Sequence, residues 1–425
     1  MRVLFSVSAW PGHYYPMVPL GRRLLAGGHE LRVLCAPSQA TAVTAAGLPP
    51  VPALDGLDMV LQARLSHYWQ AQAGAWPYPF LPPHPVTGVE LASLADFDFP
   101  AYRRAHRAAA LAATTRSFDA AVATARQWRP DVVVHDRLSL EGLLAARVVD
   151  VPAVLHLWGP VGIDEPGELR LMPGDPTGSF ARYGVADPTA ATVDHVADPC
   201  PERLRPPVGA ATRLDVRYSA YAGPLDGEPP ADLTRPGERT RVCVVWGTSV
   251  TAMVGPRSFV VPELVEALAR LDVEVVVLLG AADRERLSAA PGRALSCGAT
   301  VAGRLPGRGP VRVLTDVPLA RVLPGCAAVV HHGGAGCVMT AVAAGVPQLA
   351  VTFAGEQAAN AARIAAAGAG RHLPGADFQA DAAGAMVREL LTDRSYREAA
   401  GALRDQHERR PDPDALVTRL ATLAG

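Results

Sequence analysis

HHGGAGCVMTAVAAGVPQLAVTFAGEQAANAARIAAAGAG, residues 331–370, is the stretch whose reading decides the fold. Two histidines close the apolar run Cys326–Val330. The flexible turn Gly333-Gly334-Ala335-Gly336 follows, then a helix-forming stretch. Gly345 and Pro347 stop that helix, as glycine just past the end and proline soon after should. Gln348–Phe353 reads as the next strand. Glu356 and Gln357 stand where a second helix begins, and Asn360 lies one turn into it. Strand, glycine turn and helix together aim backbone N–H groups and a helix dipole at an anion. The order predicts a phosphate cradle, followed at the next strand end by a carboxylate and an amide suited to a polyhydroxy group.

Working outward, the same alternation recurs. Arg241–Trp246 reads as a strand, Gly247-Thr248-Ser249 as a turn, Val261–Arg270 as a helix and Val273–Leu279 as a strand. Short strands are expected at Ala299–Ala302 and Val311–Leu314, and a helix at Leu319–Leu323. The first 55 residues carry strands at Arg2–Ser8, Glu30–Ala36 and Val51–Ala53, separated by helices at Pro16–Ala26 and Ala40–Ala46. Helices at Tyr102–Trp128 and Glu141–Val149 alternate with strands at Asp131–His135 and Val151–Leu157. Residues 158–210, rich in Gly, Pro and Asp, show no clear period. This is the pattern of parallel, doubly wound sheets. It predicts an α/β protein of two similar halves, each a twisted parallel sheet, facing one another across a cleft. The divisions are an N-terminal domain over 1–222, a Pro- and Gly-rich linker over 223–240 and a C-terminal domain over 241–410. A terminal helix within 411–425 can pack on either half.

With 49% hydrophobic and 19% charged residues, the 425-residue chain has ample core for two domains. A net charge of −1 makes no electrostatic case for nucleic acid or a membrane surface. The N-terminus enters a strand directly, and no apolar run approaches the roughly 18 residues that span a bilayer. A cytoplasmic location is expected. The six cysteines are scattered, with no Cys-x-x-Cys, and read as free thiols. All 40 basic residues are Arg. Lacking Lys, the chain can form neither a lysine Schiff base nor a Walker-type phosphate site. The sole Asn, Asn360, falls inside the deciding stretch.

His13 follows the first strand and the turn Trp10-Pro11-Gly12, at the edge where such sheets bind ligands. Its imidazole suits proton abstraction near neutral pH. Asp136, at the end of a neighbouring strand, is the expected orienting carboxylate, with Asp55 and Asp58 as rivals. A lone histidine also serves structure. In the second half, Gly334 and Gly336 let the backbone approach an anion, and His332, Thr248 and Ser249 are candidate donors. GGAG alone would be a plain tight turn. Residues 57–105 hold eight aromatics. Either they pack on their own domain or they line a pocket for a large apolar ligand. Trp69, Trp76 and Phe80 are the expected acceptor-facing residues there, with Trp10 beside His13. The triplets Asp96-Phe97-Asp98 and Asp412-Pro413-Asp414 read as loops or helix caps rather than metal ligands, and no metal is expected.

These residues resemble the GT-B glycosyltransferases of family 1, in particular the actinobacterial enzymes that glycosylate natural products. The resemblance rests on Pro11-Gly12-His13 with Pro16, VVVHDRLSLEG at 132–142, GPLDG at 223–227, GTS at 247–249, and HHGGAG at 331–336 continuing to EQAAN at 356–360. It implies an acceptor-binding N-terminal half and a nucleotide-sugar-binding C-terminal half. His13 would be the general base and Asp136 its orienter. Thr248, Ser249, His332 and the amides around Gly334, Gly336 and Cys337 would hold the diphosphate. Glu356 and Gln357 would bond the sugar hydroxyls, and the loop around Val317 would carry the nucleobase. Transfer would invert the anomeric centre without a metal or other cofactor. The co-substrate would be a dTDP-sugar, a UDP-sugar being the lesser alternative, and the acceptor a bulky apolar aglycone such as a polyketide. The protein would act as a monomer or homodimer, with no nucleic-acid or membrane partner. Cys337 departs from the Ser or Thr usual there, and Trp246 is bulkier than expected and predicts a narrower cleft. Two other readings are a nucleotide-sugar epimerase of the same fold and a non-catalytic partner that keeps the fold.

Overall fold

A computed structural model describes residues 1–169, 173–223, 227–289, 300–304 and 310–425. Pro224, Leu225 and Asp226 of the GPLDG stretch, the first residue of the expected strand Ala299–Ala302 and the side chain of Thr248 lie outside the described residues. The chain forms two compact units. One comprises Met1–Met59, Asp98–Pro224 and Arg409–Gly425; the other comprises Val60–Phe97 and Leu225–Glu408.

The first unit holds β1 (Arg2–Ser6), β2 (Glu30–Leu34), β3 (Pro50–Val51), β4 (Val132–His135), β5 (Ala153–His156), β6 (His195–Asp198) and β7 (Thr212–Asp215). Their order is β3-β2-β1-β4-β5-β6-β7, and every pairing is parallel. Helices cover both faces, so β4 and β5 are buried throughout and read as unbroken apolar runs. The winding reverses between β1 and β4. At such a switch point a crevice opens beyond the carboxyl ends of the strands. His13 follows β1 and Asp136 follows β4, so both belong to this one edge.

The second unit repeats the design with β8 (Arg241–Trp246), β9 (Glu274–Leu279), β10 (Thr300–Arg304), β11 (Pro310–Thr315), β12 (Ala328–His331), β13 (Gln348–Thr352) and β14 (Gly370–Pro374). The order is β10-β11-β9-β8-β12-β13-β14. All pairs are parallel except β10 with β11. Here the switch point lies between β8 and β12, where the GTS turn and the HHGGAG turn begin. The α/β, doubly wound architecture expected for each half is the one observed. Strands β6, β7 and β14 had no counterpart in the sequence reading. The first two sit in the Gly-, Pro- and Asp-rich region, and β14 opens on Gly and closes on Pro.

The chain divides differently from the expected 1–222, 223–240 and 241–410. Residues 60–97 belong to the second unit. Their aromatics Trp76, Tyr78 and Phe80 pack on its core beside Met253 and Phe259. Arg64 Nε donates to Ala252 O at 2.7 Å, and His67 Nδ1 lies 3.2 Å from Met253 O. The expected linker is also no free tether. Leu233 is fully buried in the second unit's core. The buried Arg241 guanidinium bonds the carbonyls of Asp232, Arg235 and Gly325 at 2.9–3.2 Å. The terminal helix, Pro413–Leu423, belongs to the first unit. Leu416 and Leu420 are buried in that core, and Arg410 Nε donates to Val216 O at 3.0 Å.

Both Asp-x-Asp triplets cap helices. Asp98 accepts from Ala101 N at the start of the helix Phe99–Trp128, and Asp412 accepts from Ala415 N. Ser93 and Asp96 form a capping box one turn earlier. No helix among the described residues is long and apolar enough to cross a membrane.

An ionic group lies within the second unit. Glu274 Oε2 accepts from Arg241 Nε at 2.9 Å, and Arg312 Nε lies 2.9 Å from Glu274 Oε1. Arg241 is buried, so Glu274→Gln leaves an uncompensated guanidinium in the core. The expected loss is about 3–5 kcal/mol, read as a lowered urea midpoint for that unit. Breaking the exposed pair Arg270–Asp381 by Arg270→Ala should cost under about 1 kcal/mol.

Candidate functional site

The first unit's candidate group is built on three strand ends. Beyond β1 the chain enters a short helix, Pro11–Tyr14, rather than the open turn expected, and His13 lies within it. His13 Nδ1 is 3.0 Å from the Ser8 hydroxyl. The ring stacks on Trp158, which follows β5, at 4.0 Å between centroids and 14° between planes. The Arg137 guanidinium sits 4.3 Å from the Trp158 ring centre and donates to Gly162 O at 2.7 Å. Burial, then the Arg137 charge, hold the His13 pKa down to about 3.

Asp136 is fully buried. Its Oδ2 accepts from Ser8 N at 2.6 Å, and its Oδ1 from Leu138 N at 2.8 Å and Ser139 N at 3.1 Å. Burial pushes the carboxyl above its ordinary range, against these bonds, which favour the charged form. Asp136 was expected to orient His13 directly; the residue bonded to the His13 ring is Ser8. The rival Asp55 pairs with Arg116 at 2.8 Å. Trp10 is the N-cap residue of the Pro11–Tyr14 helix and is partly buried.

In the second unit, the helix Ala335–Ala344 starts at Gly334 with no side-chain cap. A helix start without a side-chain cap is where backbone N–H groups and the helix dipole can meet an anion. A Cβ on Gly336 would meet nothing within 4 Å, so open space lies above the first turn. His331 and His332 point apart, as neighbours along a strand do. His331 faces inward: its Nε2 lies 2.9 Å from Gln348 Oε1 and its Nδ1 accepts from Gly333 N at 2.9 Å. His332 faces the other way, accepting from Gly247 N on Nδ1 at 3.4 Å. The proton then sits on Nε2. A Cβ on Gly334 would lie 2.5 Å from that Nε2, and one on Gly247 2.7 Å from Cε1. Two glycines thus make the slot for His332 and set its Nε2–H beside the helix start. Burial, then His331, hold the His332 pKa down to about 3.

Asn360 donates to Gly333 O at 3.0 Å, which gives the chain's sole Asn a structural role. Cys337 lies in the first turn of the Ala335–Ala344 helix, and burial pushes its thiol up to about 12. It stays protonated, a weak donor. Ser249 lies in the first turn of the helix Thr248–Val254. Glu356 lies in the first turn of the helix Gly355–Ala366. Gln357 Oε1 accepts from Phe353 N at 2.8 Å, which turns its amide toward the end of β13. Val317 follows Asp316, whose carbonyl accepts from Gly227 N at 3.1 Å.

Trp69 is 58% exposed, whereas Trp76 and Phe80 are partly buried, with Trp76 Nε1 donating to Phe80 O at 2.7 Å. Trp246 is a core residue, 2% exposed, edge-on to His332 and Phe353. It does not narrow a cleft, because its bulk is absorbed by that core. The sequence reading missed Ser8, Arg137 and Trp158. Ser8 and Trp158 each lie two residues past a strand terminus at a ligand-binding edge, the one signal that could have found them.

Residues 104–247 and 262–423 match the N-terminal and C-terminal domains of the family described as erythromycin biosynthesis protein CIII-like. The 10-deoxymethynolide desosaminyltransferase of Streptomyces venezuelae is 31% identical over 447 residues, covering 100% of this chain and 97% of that protein. The L-demethylnoviosyl transferase of Streptomyces niveus is 33% identical over 423 residues, covering 99% and 98%. Among solved structures, glycosyltransferase VinC in complex with dTDP aligns with a TM-score of 0.71 at 26% identity, covering 100% of this chain and 99% of that one. The spinosyn rhamnosyltransferase SpnG complexed with thymidine diphosphate aligns at 0.71 and 27%, covering 99% and 100%. Matched in both domains and along its whole length, the chain belongs to the erythromycin biosynthesis protein CIII-like family and is a glycosyltransferase.

Proposed function

We propose that the protein transfers a deoxysugar from a dTDP-sugar to a bulky apolar aglycone of polyketide type, in antibiotic-type biosynthesis. One observation carries the donor half: the uncapped helix start at Gly334, with the His332 Nε2–H beside it and open space above Gly336. This is a ready anion site. The names of the relatives support the substrates. The matched proteins include transferases of desosamine, rhodosamine and mycarose, acting on macrolide and anthracycline scaffolds, and three of the matched structures contain thymidine diphosphate.

In this reading His13 Nε2 takes the proton of the acceptor hydroxyl. The oxygen forms a bond to the anomeric carbon as the bond from that carbon to the diphosphate oxygen breaks. The electron pair leaves with the diphosphate, and a single displacement inverts the centre. His332, Ser249, Thr248 and the amides from Gly334 to Cys337 stabilise the departing charge without a metal. With a thiol at Cys337, the amides carry the greater share. Glu356 and Gln357 bond the sugar, and the loop at Val317 takes the base. Trp10, Trp69, Trp76 and Phe80 are the proposed acceptor contacts. The protein acts in the cytoplasm as a monomer or homodimer.

Incubation with dTDP-deoxysugars and a panel of macrolactone and anthracyclinone aglycones should add one glycosyl mass to an aglycone. No product from any pair, with thymidine diphosphate still bound, overturns the acceptor class. His13→Ala should lower kcat about 10²–10⁴-fold and leave thymidine diphosphate binding intact; a full rate on a hydroxyl acceptor removes His13 as the base. His332→Ala should weaken thymidine diphosphate about 10–150-fold by calorimetry, the worth of one hydrogen bond to a charged group. Excess chelator should leave the rate unchanged, and loss of activity restored by a divalent cation would refute metal independence.

A further inference from the structure

We propose that residues 227–233 brace the loop at Val317, and that Gly227 is a positioning residue for the nucleobase of the donor; this rests on the reading that the Val317 loop takes the base. The segment lies close to where the chain leaves the first unit. It is fastened to residues 312–323 at successive points. Gly227 N donates to Asp316 O at 3.1 Å. Arg321 Nη1 donates to Gly227 O at 3.3 Å and to Glu228 Oε1 at 2.5 Å. Asp232 Oδ2 pairs with Arg312 Nη2 at 2.6 Å. Leu233 is fully buried beside Leu314, Val322 and Leu323, and Val317 and Leu319 pack on the same core. Both polar groups of the Gly227 backbone thus grip the loop, one on each side of Val317.

This grip decides which way the loop faces. Asp316 has a φ of +59°, a left-handed conformation that L residues rarely adopt and that Asp tolerates better than most. The bond to its carbonyl helps to hold it there. The peptide from Asp316 to Val317 is planar and trans, so its N–H points opposite to its C=O. With the carbonyl turned onto Gly227, the Val317 N–H faces away from the brace. Thymine presents carbonyl oxygens as acceptors, and an amide so aimed is a donor for one of them. Only glycine fits at 227. A Cβ there would lie 2.6 Å from Asp316 O, 3.1 Å from its carbonyl carbon and 3.3 Å from Val317 Cγ2. The Gly227 φ lies outside the left-handed region, so a side chain strains the loop and not residue 227 itself. What it displaces is the peptide that would meet the base.

Gly227→Ala tests this. Thymidine diphosphate, measured by calorimetry, should bind about tenfold more weakly than to the wild type. In the transfer assay above, the donor KM should rise about as much while kcat stays within about threefold, because the base contact is made in ground and transition states alike. A merely structural role would lower the active fraction, and with it kcat, and leave KM unmoved. Arg321→Ala, at an exposed position, should weaken thymidine diphosphate about two- to fivefold with the urea midpoint little changed. Gly227→Ala added to Val317→Asp should cost little beyond Val317→Asp alone, whereas added to His332→Ala its loss should multiply, since His332 acts on the diphosphate. Wild-type affinity and KM in Gly227→Ala, with Val317→Asp impaired, overturn the brace alone. A fall in kcat with KM unchanged, or multiplied losses with Val317→Asp, does the same. Where Gly227→Ala fails to fold, Arg321→Ala decides, and wild-type affinity in it overturns the brace. Wild-type affinity in Val317→Asp overturns instead the reading that this loop takes the base.

Discussion

The second unit's site hangs on the turn at Gly333, which is gripped at both ends of one peptide residue. Its amide donates to His331 Nδ1, and its carbonyl accepts from Asn360. Its φ of +83° and the approach of Gln357 O and Thr352 Cγ2 to 2.9 Å of any Cβ leave room for glycine alone. His331 is in turn fixed by Gln348, which donates to Val338 O. One chain of bonds thus joins β12, β13 and the two helices that follow them. It fixes the first turn of Ala335–Ala344 without any ligand, so an anion bound there would meet groups already oriented, with little ordering entropy left to lose.

That turn also sends two adjacent histidines to different tasks, and His13 in the other unit bears comparison with them. Burial keeps His13, His331 and His332 neutral, with pKa values of about 3 to 4. A neutral imidazole has one donor and one acceptor, and the partner on Nδ1 decides which is which. For His332 the Gly247 amide donates to Nδ1, so Nε2 carries the proton and can bond an anion. For His13 the group at Nδ1 is the Ser8 hydroxyl at 3.0 Å, which can either donate or accept. The side chain is the same; the group behind it differs, a backbone amide for His332 and a hydroxyl for His13.

Much of this was legible in the sequence, and the parts that were not share a cause. The βαβ alternation, the strands around the two switch points and the glycine turn follow from period and punctuation, which are local. His13, Asp136 and His332 were found because they stand at strand ends. What failed was pairing across distance. Asp136 was matched to His13 because both lie at one edge, and the intervening Ser8 is invisible to that argument. Residues 223–240 read as a tether because they are rich in Pro and Gly. Yet a buried Arg241 collects their carbonyls, and a single arginine in a strand does not announce its partners. Trp246 looked intrusive because its neighbours Phe353 and His332 lie 86 to 107 residues away.

The aromatic segment is the clearest case, and its placement has a physical consequence for the site. Tyr78 stacks on Phe353 at 5.6 Å and 23°, and on Phe80 at 5.3 Å and 20°. Phe353 receives the Gln357 side chain on its amide and meets the edge of Trp246. Trp246 precedes Gly247, the residue whose amide sets the His332 tautomer. Arg64 and His67 hold the far end of the helix that Gly247 starts. The row of rings from Phe80 to His332 is therefore continuous, and cores at crystal-like density pass on shifts of tenths of an ångström. A change of ring size at Tyr78 alters what Phe353 leans on, and with it the seat of Gln357 and the Trp246 edge against His332. The aromatic segment is thus packed into the support of the turn at His332 and Gly333, and the two cannot be altered independently.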